Sequence, residues 1–150
     1  MDSILNLMTH DHRSCDQHFA DIEDALAVGD KNGGRAAFQR FSQALLAHFD
    51  AEESLLFPRF ESVTGMRSGP TQVMCLEHEN MRAQLRSMHE ALIDDDLEGF
   101  AGEAETLLVM MQQHNMKEEN ILYPMCDNHL AAELDTLEPA LAGKLGHARP

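Results

Sequence analysis

Two stretches of the chain carry one pattern. His48 to Glu61 reads HFDAEESLLFPRFE and His114 to Asp127 reads HNMKEENILYPMCD, both matching H-x3-E-E-x2-L-x-P. They stand 66 residues apart, His48 against His114, and the same offset carries His12 onto His78. Each half therefore offers one isolated histidine and, 36 residues later, a histidine with a glutamate four positions on. In a helix, residues i and i+4 lie one above the other on one face, so each pair presents an imidazole and a carboxylate in the same direction. Repetition then predicts a nearly symmetric site lined by four histidines and two glutamates.

The apolar rhythm places those residues on helices. Leu5, Met8, Cys15, Phe19, Ile22 and Leu26 follow the spacing of a buried helical seam, with His12 filling its one gap. A second seam runs Phe38, Phe41, Leu45, His48, Glu52, Leu55 until Pro58, which removes a helical donor and should disturb or end the helix. The run from Gly29 to Gly34 between them reads as a turn. After a loop over Val63 to Pro70, the third seam is Met74, His78, Met81, Leu85, Met88, Leu92. Asp94 to Asp96 closes that helix and supplies a cap for the next, and Pro70 suits a first helical turn. The fourth seam is Phe100, Ala104, Leu107, Met111, His114, Glu118, Ile121, Met125, with Pro124 where the second has Pro58.

No useful β alternation appears. The expected fold is all-α, an antiparallel up-down four-helix bundle with internal twofold duplication over residues 1–142. A shorter helix from Asp127 through Leu130, Leu134 and Leu137 should end before Pro139, and a flexible tail should occupy 143–150. A chain of 150 residues is one domain, able to bury roughly 70% of its unfolded surface.

His12, His48, His78 and His114 occupy seam positions, whereas His10, His18, His89, His129 and His147 do not. A single core histidine is ordinarily a hydrogen-bonded structural residue. Four at matched places, joined by two carboxylates, need another account. An uncompensated buried carboxylate costs several kcal/mol, and no Lys or Arg falls on any seam to offset it. A buried hydrogen-bond network would not easily hold two anionic groups, whereas cations would compensate both and take neutral imidazoles as ligands. Mixed nitrogen and oxygen donors favour iron, manganese or zinc, and carboxylates able to bridge favour a dinuclear centre. One shared oxo or hydroxo group would still leave a position open on an octahedral ion for dioxygen, peroxide or nitric oxide.

This order of ligands, with a proline six residues after each glutamate, resembles the bacterial hemerythrin-like proteins, the hemerythrin HHE cation-binding domain family. The resemblance runs from His12 to Pro124. It implies a four-helix bundle around a non-haem pair of irons, with His12, His48, Glu52, His78, His114 and Glu118 as ligands and both glutamates bridging. The oxygen-carrying hemerythrins are less similar. They use five histidines, including an H-x3-H pair on the third helix, where this chain has Arg82. Their aspartate lies five residues after the last histidine, which would point to Glu119. The seam puts Glu118 inward and leaves Glu53 and Glu119 facing solvent or behind the ligands. His10 and His18 flank the first seam as candidates for an extra ligand, although His18 sits roughly 120° from His12 around the helix. Met8, Met74, Met81 and Met111, Cys15 and the single tyrosine, Tyr123, which aligns with Phe57, read as packing.

The formal charge of −15, from 11 basic and 26 acidic residues, excludes nucleic acid and anionic lipid as partners. No apolar run of membrane length and no secretory signal is visible, and three cysteines without C-x-x-C spacing form no disulfide framework, so a cytoplasmic protein is expected, monomeric or a weak homodimer. The expected function is a di-iron protein that binds or senses a small oxidant in stress response or iron handling. A di-iron enzyme decomposing peroxide or nitric oxide, and a structural bundle holding zinc or manganese, are the alternatives.

Overall fold

A computed structural model describes residues 2–146, and these are helical with short connections and no strand among them. The chain divides into two compact units: one takes in the chain up to Met66 and again from Tyr123, the other runs from Arg67 to Leu122.

The first unit is built on a hairpin of α1 (Ile4–Ala27) and α2 (Lys31–Ala51). Ser3 caps α1 by accepting from the Asn6 amide. Asp127, far along the chain, accepts from the amides of Ile4 and Leu5 at 2.8 and 3.1 Å. Three of the donors that a helix start leaves unsatisfied are thereby paired, with an anion at the positive end of the helix dipole. The turn is tighter than the glycine run suggests. Gly29, at φ 79°, ends α1 in the left-handed conformation, and Asp30 already caps α2 by accepting from the Gly33 amide at 2.9 Å. Gly33 is thus inside the helix, where a Cβ would fall 2.1 Å from the Asp30 carboxylate.

Pro58 does not end the second helix. Beyond Ala51 the chain passes through a π-helical turn, Glu52–Leu56, into α3 (Phe57–Thr64), whose first turn holds Pro58. Proline in a regular helix clashes with the carbonyl four residues back, here that of Ser54, and a widened turn absorbs the clash. The extra residue shifts the register, so Leu56 is fully buried while Leu55, the expected seam residue, is only half-buried. Gly65, at φ 74°, closes α3.

The rest of this unit is α6 (Tyr123–His129), a 3-10 turn at Ala131–Glu133, and α7 (Leu134–Leu145). The expected short helix therefore starts later than Asp127 and runs through Pro139 rather than stopping before it. Burial of Leu137, Leu141 and Ala142 offsets the hydrogen bond lost at the proline. Of the tail expected from residue 143, residues 143–145 finish α7, and 147–150 lie outside the described residues.

The second unit repeats the hairpin with α4 (Pro70–Ile93) and α5 (Leu97–Lys117). Pro70 opens α4 at a position where its missing N–H is not needed. Asp95, at φ 57°, stands where the first hairpin has Gly29, and Asp96 caps α5 through the Gly99 amide at 2.9 Å. The Gln84 side chain ties the two helices by donating to the Glu103 carbonyl at 2.9 Å. A second π-helical turn, Glu118–Leu122, follows α5 at the same 66-residue offset as the first. Again the register slips: Leu122 is buried and Ile121, the expected seam residue, is 56% exposed.

Candidate metal centre

Each unit carries one half of the expected constellation. In the first, His12 comes from α1, His48 from the end of α2 and Glu52 from the first residue of the π turn. All three are buried, Glu52 completely. The two Nε2 atoms approach to 3.1 Å, and His48 Nε2 lies 3.6 Å from Glu52 Oε1. On the far side of the ring, His48 Nδ1 donates to Asp11 Oδ2 at 2.6 Å, and Asp11 is itself buried. That bond places the proton on Nδ1 and leaves the Nε2 lone pair facing His12 and Glu52, as a carboxylate-oriented metal ligand requires.

The second unit builds the same unit of chemistry. His78, His114 and Glu118 each offer a ligand atom within 4.8 Å of the others, and all three are buried. His114 Nε2 lies 3.3 Å from Glu118 Oε1. Glu77 accepts from His114 Nδ1 at 2.7 Å and from Lys117 Nζ at 2.5 Å. Partial burial raises the Glu77 carboxyl, but the hydrogen bonds from Lys117 and His114 outweigh it, and the group titrates below its usual range. Its folded value being depressed, the stability that this chain of contacts adds is present above the ordinary carboxylate pKa and is lost as pH falls through the lowered one. Beside it a cleft of about 180 Å³, lined by Glu77, Met81, Met110, His114 and Lys117 among others, runs from half-exposed Lys117 toward buried His114.

The donor set fits a metal. In the second unit two imidazole nitrogens and a carboxylate oxygen converge, and in the first two imidazole nitrogens meet with Glu52 beside His48; in each, the histidine of the H-x3-E pair is held by an acid through its other nitrogen. A family model described as the hemerythrin HHE cation binding domain matches residues 3–126 and so spans all six residues. The chain belongs to the hemerythrin family. No curated protein and no solved structure matches it. Within the hemerythrin domain, Arg82 occupies the position that a fifth histidine would need, and it pairs with Glu79 on its own helix at 2.6 Å. Glu118 is fully buried, whereas Glu119 is partly exposed. His10 is exposed and His18 half-buried, and neither joins a group of ligand atoms among the described residues. No helix among those residues is long and apolar enough to cross a membrane.

Three residues escaped the sequence reading. Asp11 and Glu77 each precede a seam histidine, and the acid-His doublet recurs at the 66-residue offset, so the signal was there. Each acid serves the histidine of the adjacent helix rather than its own neighbour. Tyr123 is more than packing. Its hydroxyl donates to Glu52 Oε2 at 2.8 Å and lies 3.1 Å from His48 Nε2 and 3.2 Å from His12 Nε2. The π turn, by adding a residue, turns it inward.

Cys15 takes no part in this chemistry. Burial first, and the nearby Asp11 charge second, push its thiol up to about 12, so it stays protonated and unreactive at neutral pH. Alkylation of the folded protein with iodoacetamide should therefore modify the partly exposed Cys75 well before Cys15, as followed by peptide mass spectrometry. Equal rates at the two would contradict this environment.

Proposed function

We propose that the chain is a non-haem di-iron protein that binds or senses a small oxidant, dioxygen, peroxide or nitric oxide. In this reading α1, α2, α4 and α5 form an antiparallel up-down four-helix bundle with internal duplication. His12, His48, Glu52, His78, His114 and Glu118 hold the two ions, each half giving two histidines and a glutamate that bridges. The observation that carries it is the recurrence, 66 residues apart, of an imidazole and carboxylate pair whose histidine is held through Nδ1 by an acid, Asp11 in one half and Glu77 in the other. Iron so bound would supply open coordination positions and a redox couple for the oxidant. The protein orients the Nε2 lone pairs, screens the site from bulk water by burial, and leaves the Lys117 cleft as a polar approach to His114.

Elemental analysis with an optical spectrum, on protein from iron-replete cells before and after reduction and return to air, tests it. About two irons per chain and a charge-transfer band that responds to oxidant are expected. Zinc alone, or no metal, would sink the di-iron reading in favour of a structural bundle. Catalytic loss of added peroxide, rather than a stable oxidised species, would move the function from sensing to turnover.

A further inference from the structure

We propose that Tyr123 is a further ligand of the centre, bound as a phenolate to the ion held by His12 and His48. The inference rests on the metal reading above and deepens it. Three atoms, His12 Nε2, His48 Nε2 and the Tyr123 hydroxyl oxygen, form a triangle with sides of 3.1, 3.1 and 3.2 Å. Such a triangle is one face of an octahedron: dividing its edge by √2 gives a metal to ligand distance of about 2.2 Å, close to that of nitrogen and oxygen donors. A tetrahedral site with the same edge would need about 1.9 Å, shorter than such bonds.

With both imidazoles neutral, hydrogen bonding does not fill all three sides of the same triangle. With neutral imidazoles, the His48 proton sits on Nδ1 facing Asp11, and the phenol proton is directed to Glu52 Oε2 at 2.8 Å. His12 Nε2 can contribute one hydrogen at most, which fills one side. Two sides then set lone pair against lone pair inside a buried site, an arrangement that a cation reverses from repulsive to attractive. On ligation the phenol O–H bond breaks and an oxygen to metal bond forms. The phenol proton would be released to solvent, and no electron would be transferred. Phe57, the residue 66 positions earlier, has no oxygen to offer, so the two ions of the centre would be chemically unlike.

Because the chain has a single tyrosine, any phenolate signal belongs to this residue. The test is resonance Raman spectroscopy of the oxidised, iron-loaded full chain, grown with ordinary or ring-deuterated tyrosine, alongside Tyr123→Phe. Expected are a visible phenolate to iron band, ring modes that shift on deuteration, and loss of both in Tyr123→Phe when the spectra are compared per iron bound. Iron-loaded wild type without tyrosine modes overturns the proposal and leaves the di-iron reading intact. Wild type that takes up no iron overturns the reading on which the proposal stands. Should Tyr123→Phe not fold, the isotope shift in wild type decides alone.

Discussion

Glu52→Ala and Glu118→Ala should each empty the proposed di-iron centre, lowering bound iron from the expected two or so per chain to well under one. Both carboxylates are fully buried, and each lies one helical turn beyond its histidine, at 3.6 Å for Glu52 and 3.3 Å for Glu118. In the proposed centre each carboxylate would bridge both ions, so its loss would weaken both and leave a single glutamate to compensate two cations. The isosteric Glu52→Gln and Glu118→Gln keep the side chain's volume, and the same loss of iron there would assign the effect to charge rather than to a cavity. Two substitutions should leave the iron unchanged: His89→Ala, exposed on α4, and Glu119→Ala, next in line but outside the buried set. Full iron in either alanine variant of the pair would sink the bridging assignment, and loss in Glu119→Ala would mean the register is one residue out.

That register shows what could and could not be read from the residues alone. The six buried polar groups were legible because a histidine or glutamate in an apolar seam is conspicuous, and because the 66-residue offset gave each a counterpart. Asp96 as a cap and Pro70 as a helix start were legible from local chemistry. Leu55 and Ile121 were misplaced because a regular 3.6-residue period was carried past Pro58 and Pro124, where the chain takes a wider π turn. A period count has no means of inserting that extra residue. Tyr123 lies just beyond the slip, which is why its hydroxyl passed for packing. The local preference of Pro139 predicts a stop, and burial of Leu137 and Leu141 in the same helix overrides that preference.

Stripping the metal will cost the protein much of its thermal stability. Binding to the folded state alone stabilises it by RT ln(1 + [L]/Kd), about 2.7 kcal/mol at a hundredfold excess over Kd and about 4.1 at a thousandfold. For a chain of this size each kcal/mol moves the melting temperature by roughly 2–4 °C, so chelation should lower it by roughly 10 °C. The loss should scale with free metal, since it is mass action, and re-addition of ferrous iron under reducing conditions should restore it. Glu52→Ala and Glu118→Ala should be nearly blind to both treatments, having no ion to lose. Asp11→Asn tests how the effect is transmitted. Asp11 contacts His48 at Nδ1, on the face turned away from Nε2, and weakening an acid that orients a metal ligand ordinarily lowers affinity about 10–100-fold. Its melting curve should therefore need more iron to reach the wild-type plateau, yet reach it. A wild-type melting temperature indifferent to chelator, with iron demonstrably removed, would mean that the seam carboxylates are compensated within the protein, and the electrostatic case for a resident metal would fail.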